Sequence, residues 1–396
     1  MKLNRRLVTF LVIALALSLI AGCATPQQPA QKEEPKKEEP KKEEPKEIVI
    51  GVITPITGDV ATFGESTRNA VLLLAEQWNA KGGLLGKKIV VKVEDDRNQP
   101  QDSAAAAQKL ITQDKVVGIV GSVASKCTLA AAPIAQENKI PLISGTSTNE
   151  KVTQVGDYIF RACFIDPFQG AVMARFAFNN LKAKTAACLF DVTNDYPKGL
   201  AEEFKKEFEK LGGKVVEYQT YNYGDQDFKP QLTKIKTKNP DVLFLSDYYN
   251  TVGLIAKQAR ELGIKSVFLG GDGWDSPDLV KIGGKAVEGG YFSNHYSPES
   301  TAPEAVEFLK AYKAKYNKDP DALAALGYDA ALLLFDAIKR AGSTEGAKIR
   351  DALAATKDFK AVSGTITFDA NRNPIKDAAI ITIKDGQQKL FTMVKP

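Results

Sequence analysis

Histidine is nearly missing from this chain: among 396 residues there is one, His295. A Ser-His-Asp triad would have to be built around that single side chain. Other devices of catalysis are missing too. No Gly-x-Ser-x-Gly precedes a predicted helix, and no Gly-x-Gly-x-x-Gly follows a predicted strand. The run GGLLGKK (82–88) is not a phosphate-binding loop, because its spacing is short and Lys88 stands where Ser or Thr belongs. The aspartates of 272–278 lack the spacing of a calcium loop. There is no Cys-x-x-Cys and no Cys/His metal spacing. An enzyme, a resident metal and a cofactor are therefore not expected. Cysteine is scarce, at four residues. Cys127, Cys163 and Cys188 read as small buried hydrophobes, and three leave room for at most one disulfide. Beyond the N-terminus no apolar run reaches 18 residues, so nothing there reads as a membrane span. Charge of one sign is lacking as well: 44 basic residues face 41 acidic ones from residue 48 onward. No basic stripe suggests nucleic acid.

What is present begins at the N-terminus. Lys2, Arg5 and Arg6 precede an apolar run from Leu7 to Ile20, then Ala21-Gly22-Cys23. A basic start, a short apolar run and small residues make a secretory signal peptide. The cysteine after the small residues resembles a bacterial lipobox, which implies a diacylated, N-acylated Cys23. Each buried lipid CH₂ contributes about 0.8 kcal/mol, so several acyl chains anchor firmly. Residues 24–47 repeat Lys-Lys-Glu-Glu-Pro and hold six Lys against seven Glu, with no aromatic residue. Such a segment buries no core and reads as an extended, semi-rigid spacer. The expectation is a signal peptide over 1–22, a lipid-anchored linker over 23–47 and a globular body outside the cytoplasm, on the outer face of the cytoplasmic membrane or in the periplasm.

The body alternates strand and helix. Strands are predicted at 48–54, 88–94, 116–120, 140–144 and 158–161, then at 185–192, 214–221, 241–246 and 266–270. Helical patterns lie at 65–79, 104–113, 130–137, 169–181, 198–211 and 303–341, with late strands at 363–368, 379–384 and 389–394. Alternation of this kind means parallel sheets with helices on both faces. About 350 residues exceed one core, so two domains are expected. The predicted class is α/β, with two doubly wound parallel-sheet lobes joined by hinge strands. The first lobe would take 48–165 with 297–376, and the second 166–296 with 377–396.

Ligands of open parallel sheets bind beyond the carboxyl ends of the strands. After the third predicted strand comes Gly121-Ser122-Val123-Ala124-Ser125, and after the fourth Gly145-Thr146-Ser147-Thr148-Asn149. Both offer hydroxyls and free amides at helix starts, suited to a carboxylate or to plain N-capping. In the second lobe the strand ends carry Asp195-Tyr196, Asp247-Tyr248-Tyr249 and Gly271-Asp272-Gly273-Trp274-Asp275. Asp272, between two glycines, reads as positioned to pair with an ammonium, with aromatic faces around it. Asp247 and Asp275 read as solvated loop residues.

Taken together, GVITPITGDVATFG (51–64), NAKGGLLGKK (79–88), EDD (94–96), SGTSTNE (144–150), NDYPKGLA (194–201) and LGGDGW (269–274) resemble a known family. It is that of type I periplasmic binding proteins for branched-chain amino acids, the leucine/isoleucine/valine-binding proteins of ABC importers. The resemblance covers nearly all of 48–396. It implies that Ser125 and Thr148 hold the ligand α-carboxylate and that the carbonyl of Thr146 accepts from the α-ammonium. Ser147 belongs to the same loop. Asp272 matches the family's acidic partner of the ammonium, Tyr196 and Tyr248 its pocket tyrosines, and Phe63 the aromatic on the ligand side chain. Tyr328 is a further wall, and Trp274 is added from its position. Two departures stand out: the acidic residue is often Glu where this chain has Asp272, and the cysteine pair of some members is replaced by Asn98 and Ala124.

The implied function is capture of an amino acid, branched-chain first among candidates, in an interlobe cleft that closes by hinge motion. A monomer would then deliver it to the permease subunits of an ABC importer. The alternatives are a ligand sensor of the same fold and a binder of amides or aromatic acids.

Overall fold

The computed structural model describes residues 46–396; the signal peptide, Cys23 and nearly all of the linker lie outside the described residues. From Glu47 the chain builds one sheet, crosses to build a second, then returns. β1 (Glu47–Thr54), α1 (Ala61–Ala80), β2 (Lys88–Asp95), α2 (Pro100–Thr112), β3 (Gly118–Val120), α3 (Ser125–Glu137), β4 (Leu142–Ser144), α4 (Lys151–Gln154) and β5 (Ile159–Arg161) come first. Their strands pair in parallel in the order β2-β1-β3-β4-β5. β1 is buried along almost its whole length, as a strand covered on both faces must be. Ile48, Ile50 and Val52 pack toward α1 and α11 (Ala322–Ala341), while Val49 and Ile53 pack toward α2 and α3.

The second sheet repeats the plan. α5 (Asp166–Arg175), β6 (Thr185–Asp191), α6 (Asp195–Lys210), β7 (Lys214–Tyr221), α7 (Lys229–Lys238), β8 (Val242–Leu245), α8 (Tyr249–Glu261), β9 (Val267–Gly270), α9 (Pro277–Gly283) and β10 (Tyr291–Asn294) follow in order. α10 (Pro303–Tyr316), α11 and α12 (Gly346–Ala354) then return to the first lobe. β11 (Phe359–Ala361) and β12 (Gly364–Ile366) form a separate ribbon, and β13 (Ala378–Lys384) and β14 (Gln387–Val394) complete the second sheet. Its order is β14-β13-β10-β9-β8-β6-β7.

Three differences from the sequence reading have local causes. The second sheet is mixed, because β13 and β14 run antiparallel to their neighbours. A short turn at Asp385–Gly386, with both residues at positive φ, allows that hairpin. The predicted helical stretch 303–341 is two helices, since Asn317 turns left-handed (φ 55°) and Pro320 precedes the Asp321 cap of α11. The predicted strand 363–368 shrinks to β12 and joins neither main sheet.

The chain passes between the sheets at 161–166, 294–303 and 366–378. Cys127, Cys163 and Cys188 are buried and unpaired. Among the described residues, no helix is long and apolar enough to cross a membrane.

Candidate functional site

In both sheets the parallel strands have the order in which the chain winds outward from a central switch, and a crevice opens at the carboxyl ends there. The two crevices face each other. Between them lies a small cavity. On the first lobe, α1 contributes Phe63, the loop after β3 contributes Val123, and α3 begins at Ser125. Thr146 from the loop after β4 and Leu323 at the start of α11 complete that wall. On the second lobe the first turn of α6 gives Tyr196, the residue before α8 is Tyr248, and the turn after β9 gives Asp272 and Gly273.

The second-lobe wall is built around Asp272. Tyr196 Oη donates to Asp272 Oδ1 at 2.8 Å, and the Gly273 N–H donates to Tyr196 Oη at 3.0 Å. His295 Nε2 lies 3.1 Å from Asp272 Oδ2. The Asp272 N–H donates to Gln169 Oε1 at 2.8 Å, which also accepts from Ser293 Oγ at 2.8 Å. The flanking glycines make this packing feasible. A Cβ at Gly273 would stand 3.0 Å from Tyr196 Oη, and one at Gly271 would stand 2.9 Å from both Tyr196 Oη and Gln169 Oε1. Burial, with the Asp272 charge adding to it, raises the Tyr196 phenol well above its ordinary value, so it remains a donor. Tyr196 stacks on Tyr248 at 5.3 Å, and Phe63 meets the edge of Tyr248 at 5.9 Å. These rings make a flat apolar slot next to one carboxylate.

The first-lobe wall has the opposite character. Ser125 opens the 13-residue helix α3, whose N-terminus presents backbone N–H groups and a positive dipole end. Ser125 Oγ accepts from the Asn149 N–H at 3.2 Å, and Thr146 Oγ1 donates to the Val123 carbonyl at 2.9 Å. The cavity is thus polarised, with an anion-attracting wall facing a carboxylate.

Of the predicted residues, Phe63, Ser125, Thr146, Tyr196, Tyr248 and Asp272 line the cavity; Ser147, Thr148, Trp274 and Tyr328 do not. Ser147 braces the loops, its hydroxyl 3.1 Å from the Val123 carbonyl and 2.7 Å from Thr128 Oγ1. Thr148 is fully buried behind the wall. Its hydroxyl has no hydrogen bond of normal geometry, although it stands close enough to Asp166 to favour that carboxylate. Burial outweighs this and pushes the Asp166 carboxyl up to about 8. Trp274 points into the second-lobe core, with its indole N–H on the Leu245 carbonyl at 2.9 Å and its ring against Phe292. Tyr328 donates to Gln77 Oε1 at 2.6 Å and packs on Phe308, within the helical layer of the first lobe. Helical periodicity decides this: Leu323 reaches the cavity from the first turn of α11, and Tyr328 sits more than a turn further on.

Sequence reasoning missed Val123, Leu323 and Gly273 in the lining, and the brace of Gln169, Ser293 and His295 behind Asp272. Leu323 carried no signal beyond one apolar residue after a helix cap. The reading of Asp247 and Asp275 as solvated is corrected: both are buried. Asp247 accepts from the Tyr221 hydroxyl and from the Tyr248 N–H, which holds Tyr248 at the cavity edge. Asp275 accepts the Ala322 N–H of α11 at 2.7 Å, a bond from one lobe to the other. Further bridges join Thr62 to Ser276 (3.1 Å), Asn149 to the Asp195 carbonyl (2.9 Å) and Tyr223 to Asp59 (3.0 Å). The lobes are shut over the cavity.

A two-lobed α/β protein shut around a small polarised cavity is a ligand-capturing protein. Residues 47–388 match the family described as periplasmic binding protein, and the chain belongs to that family. It is a family of extracytoplasmic solute-binding proteins rather than enzymes. The chain is 32% identical over 324 residues to a Leu/Ile/Val-binding protein homolog of Brucella melitensis, covering 81% of this chain and 87% of that one. It is similar to the leucine-binding protein LivK of Thermotoga maritima, with 42% identity and a TM-score of 0.85 over 88% of this chain and 99% of that one. It is also similar to the branched-chain amino acid transporter substrate-binding protein LivJ of Streptococcus pneumoniae in complex with isoleucine. There the identity is 35% and the TM-score 0.83, again over 88% and 99% of the two chains.

Two outcomes test this geometry. Asp272→Ala removes the one carboxylate that lines the cavity, so amino acid affinity falls by most of its value while the protein stays folded; wild-type affinity by calorimetry would show the site to be elsewhere. The second concerns pH. Burial, with Asp321 adding to it, pushes the Asp275 carboxyl from its ordinary 3.8 up to about 7. A raised acid contributes its full stability below its unfolded value and loses it as pH rises toward 7. Asp275→Asn keeps an acceptor for the Ala322 N–H without the charge. Its melting temperature relative to wild type therefore rises between pH 4 and pH 8; a constant difference would mean that Asp275 is not buried in solution.

Proposed function

We propose that this protein is the extracytoplasmic substrate-binding component of an ABC importer, and that it captures a branched-chain amino acid in the interlobe cavity for delivery to a membrane permease. The observation that carries the reading is the polarised cavity. In this reading the α-ammonium meets Asp272 and the Thr146 carbonyl, and the α-carboxylate meets Ser125 and the N-terminus of α3. The side chain lies among Phe63, Tyr196, Tyr248 and Leu323. Burying a leucine-sized side chain contributes about 1.5–3 kcal/mol. One methylene discriminates by only about 1–3 kcal/mol, so leucine, isoleucine and valine share the site. Closure follows ligand because the shut form alone offers both walls at once.

The body divides, in this reading, into a first lobe of 48–165 with 297–376 and a second of 166–296 with 377–396. Cys23 carries the lipid that tethers it, and residues 23–47 form the stalk. The protein works as a monomer.

Thermal-shift titration tests the ligand. A ligand that binds the folded form stabilises it by RT ln(1 + [L]/Kd), about 2.7 kcal/mol at a hundredfold excess over Kd. Leucine, isoleucine and valine are expected to raise the melting temperature; a shift with amides or aromatic acids alone would replace the amino acid reading. Cys23→Ser tests the anchor. Expressed in a bacterium with lipoprotein processing, the wild type incorporates labelled palmitate and sediments with membranes, and the variant does neither. Label in the variant would remove Cys23 as the attachment site.

A further inference from the structure

Ligand capture as described makes no use of the one histidine in the chain. His295 follows β10 at the second passage between the lobes, and its side chain is buried. Its Nε2 lies 3.1 Å from Asp272 Oδ2, while Tyr196 Oη holds the other carboxylate oxygen at 2.8 Å. Its ring lies against Phe164, with centroids 3.6 Å apart, and its Nδ1 has no hydrogen-bond partner. An imidazole carries its proton on the nitrogen that has an acceptor. Here that nitrogen is Nε2.

We propose that His295 is a positioning residue for ligand capture that acts through Asp272: a neutral Nε2–H donor that aims the carboxylate at the cavity and leaves its negative charge for the ligand's cationic group. This rests on the reading of the cavity as an amino acid site. The contrast with other donors gives the physical reason. A lysine or arginine in the same place would also hold the carboxylate, but would cancel the charge that attracts an ammonium. A buried neutral donor orients without cancelling.

The surroundings keep the imidazole in that role. Burial lowers its pKa from the ordinary 6.5, and the Lys376 ammonium from the third passage lowers it further, against the opposing pull of Asp272. Asp166 and Cys163, from the first passage, face the Asp272 side, and Tyr196 from α6 donates to the carboxylate directly. The Arg161 guanidinium is occupied by the carbonyls of Ser147 and Asn149. A proton on His295 would turn the pair from net negative to neutral. Proton and ligand ammonium therefore compete for the same carboxylate, and affinity falls as the medium becomes acidic.

The test is calorimetry of the full chain with L-leucine from pH 7.5 to 5.5, on wild type, His295→Gln and His295→Phe. Wild-type affinity is expected to fall with acid. His295→Gln retains a neutral donor, so it stays within about threefold of wild type at pH 7.5, and its acid slope is shallower than that of wild type, the remainder belonging to Asp166. His295→Phe removes the donor, a hydrogen bond to a charged group, and weakens binding roughly tenfold or more at pH 7.5. An unchanged acid slope in His295→Gln, or full affinity in His295→Phe, overturns the proposal. Nitrogen NMR of the single imidazole gives a readout that needs no ligand. The Nε2–H tautomer is expected at pH 7.5, and an Nδ1–H tautomer overturns the proposal. If leucine produces no heat in wild type while the Nε2–H tautomer is observed, the amino acid reading of the cavity is what fails, and the histidine–carboxylate pair stands.

Discussion

The rest of the site depends on one carboxylate held between two lobes without a cation. Asp272 lines the cavity with no lysine or arginine beside it in that lining. A buried charge in this position is costly unless hydrogen-bonded, and here the bonds come from a phenol and an imidazole rather than from a counter-ion. This arrangement leaves the electrostatic demand unmet until a ligand arrives. It also dictates the local sequence. Gly271 and Gly273 let Tyr196 and Gln169 approach closely, and Gln169 reaches Asp272 from α5, just past the first passage between lobes.

The opposite wall supplies the complementary half. The N-terminus of α3 is a positive dipole end, and in the proposed reading it meets the ligand carboxylate across from Asp272. Neither lobe alone offers both charges. The lobes also touch directly: Phe63 packs on Tyr248 and Tyr249, Thr62 bonds Ser276, and Asn149 bonds the Asp195 carbonyl. A ligand that touches both walls adds contacts that only the shut form offers, which is the thermodynamic basis of capture by closure.

Much of this was legible in the sequence because doubly wound sheets print a strong pattern. β1, β2, β6 and β7 fall within a residue of their predicted bounds, since β1 and β6 are buried apolar runs and the half-buried edge strands β2 and β7 are rich in β-branched and aromatic residues. Of the ten residues predicted to touch a ligand, six line the cavity, four of them in the loops after β3, β4, β8 and β9. The other four lie outside that lining: Ser147, Thr148 and Trp274 through the direction their side chains take from a strand-end loop, Tyr328 because it sits more than a turn along α11 from Leu323. Sequence gives position along the chain, but a side chain next to a strand end can point to the cavity, to the loop or to the core. Trp274 is two residues from Asp272, yet its indole fills the core under β9 and bonds to β8. Asp275 looked solvated because it sits in a polar loop, and only α11 arriving from the other lobe buries it.

The amino acid order by itself determined the α/β class, the two lobes and the loops that line the cavity between them. These follow from local periodicity, turn residues and the rule that parallel strands open their ligand crevice at one end. Tertiary structure alone decided which face of each loop meets the cavity, that Leu323 joins it, and that His295 stands behind Asp272. Those depend on residues far apart in the chain meeting across two sheets, and no pattern within a single segment encodes such a meeting.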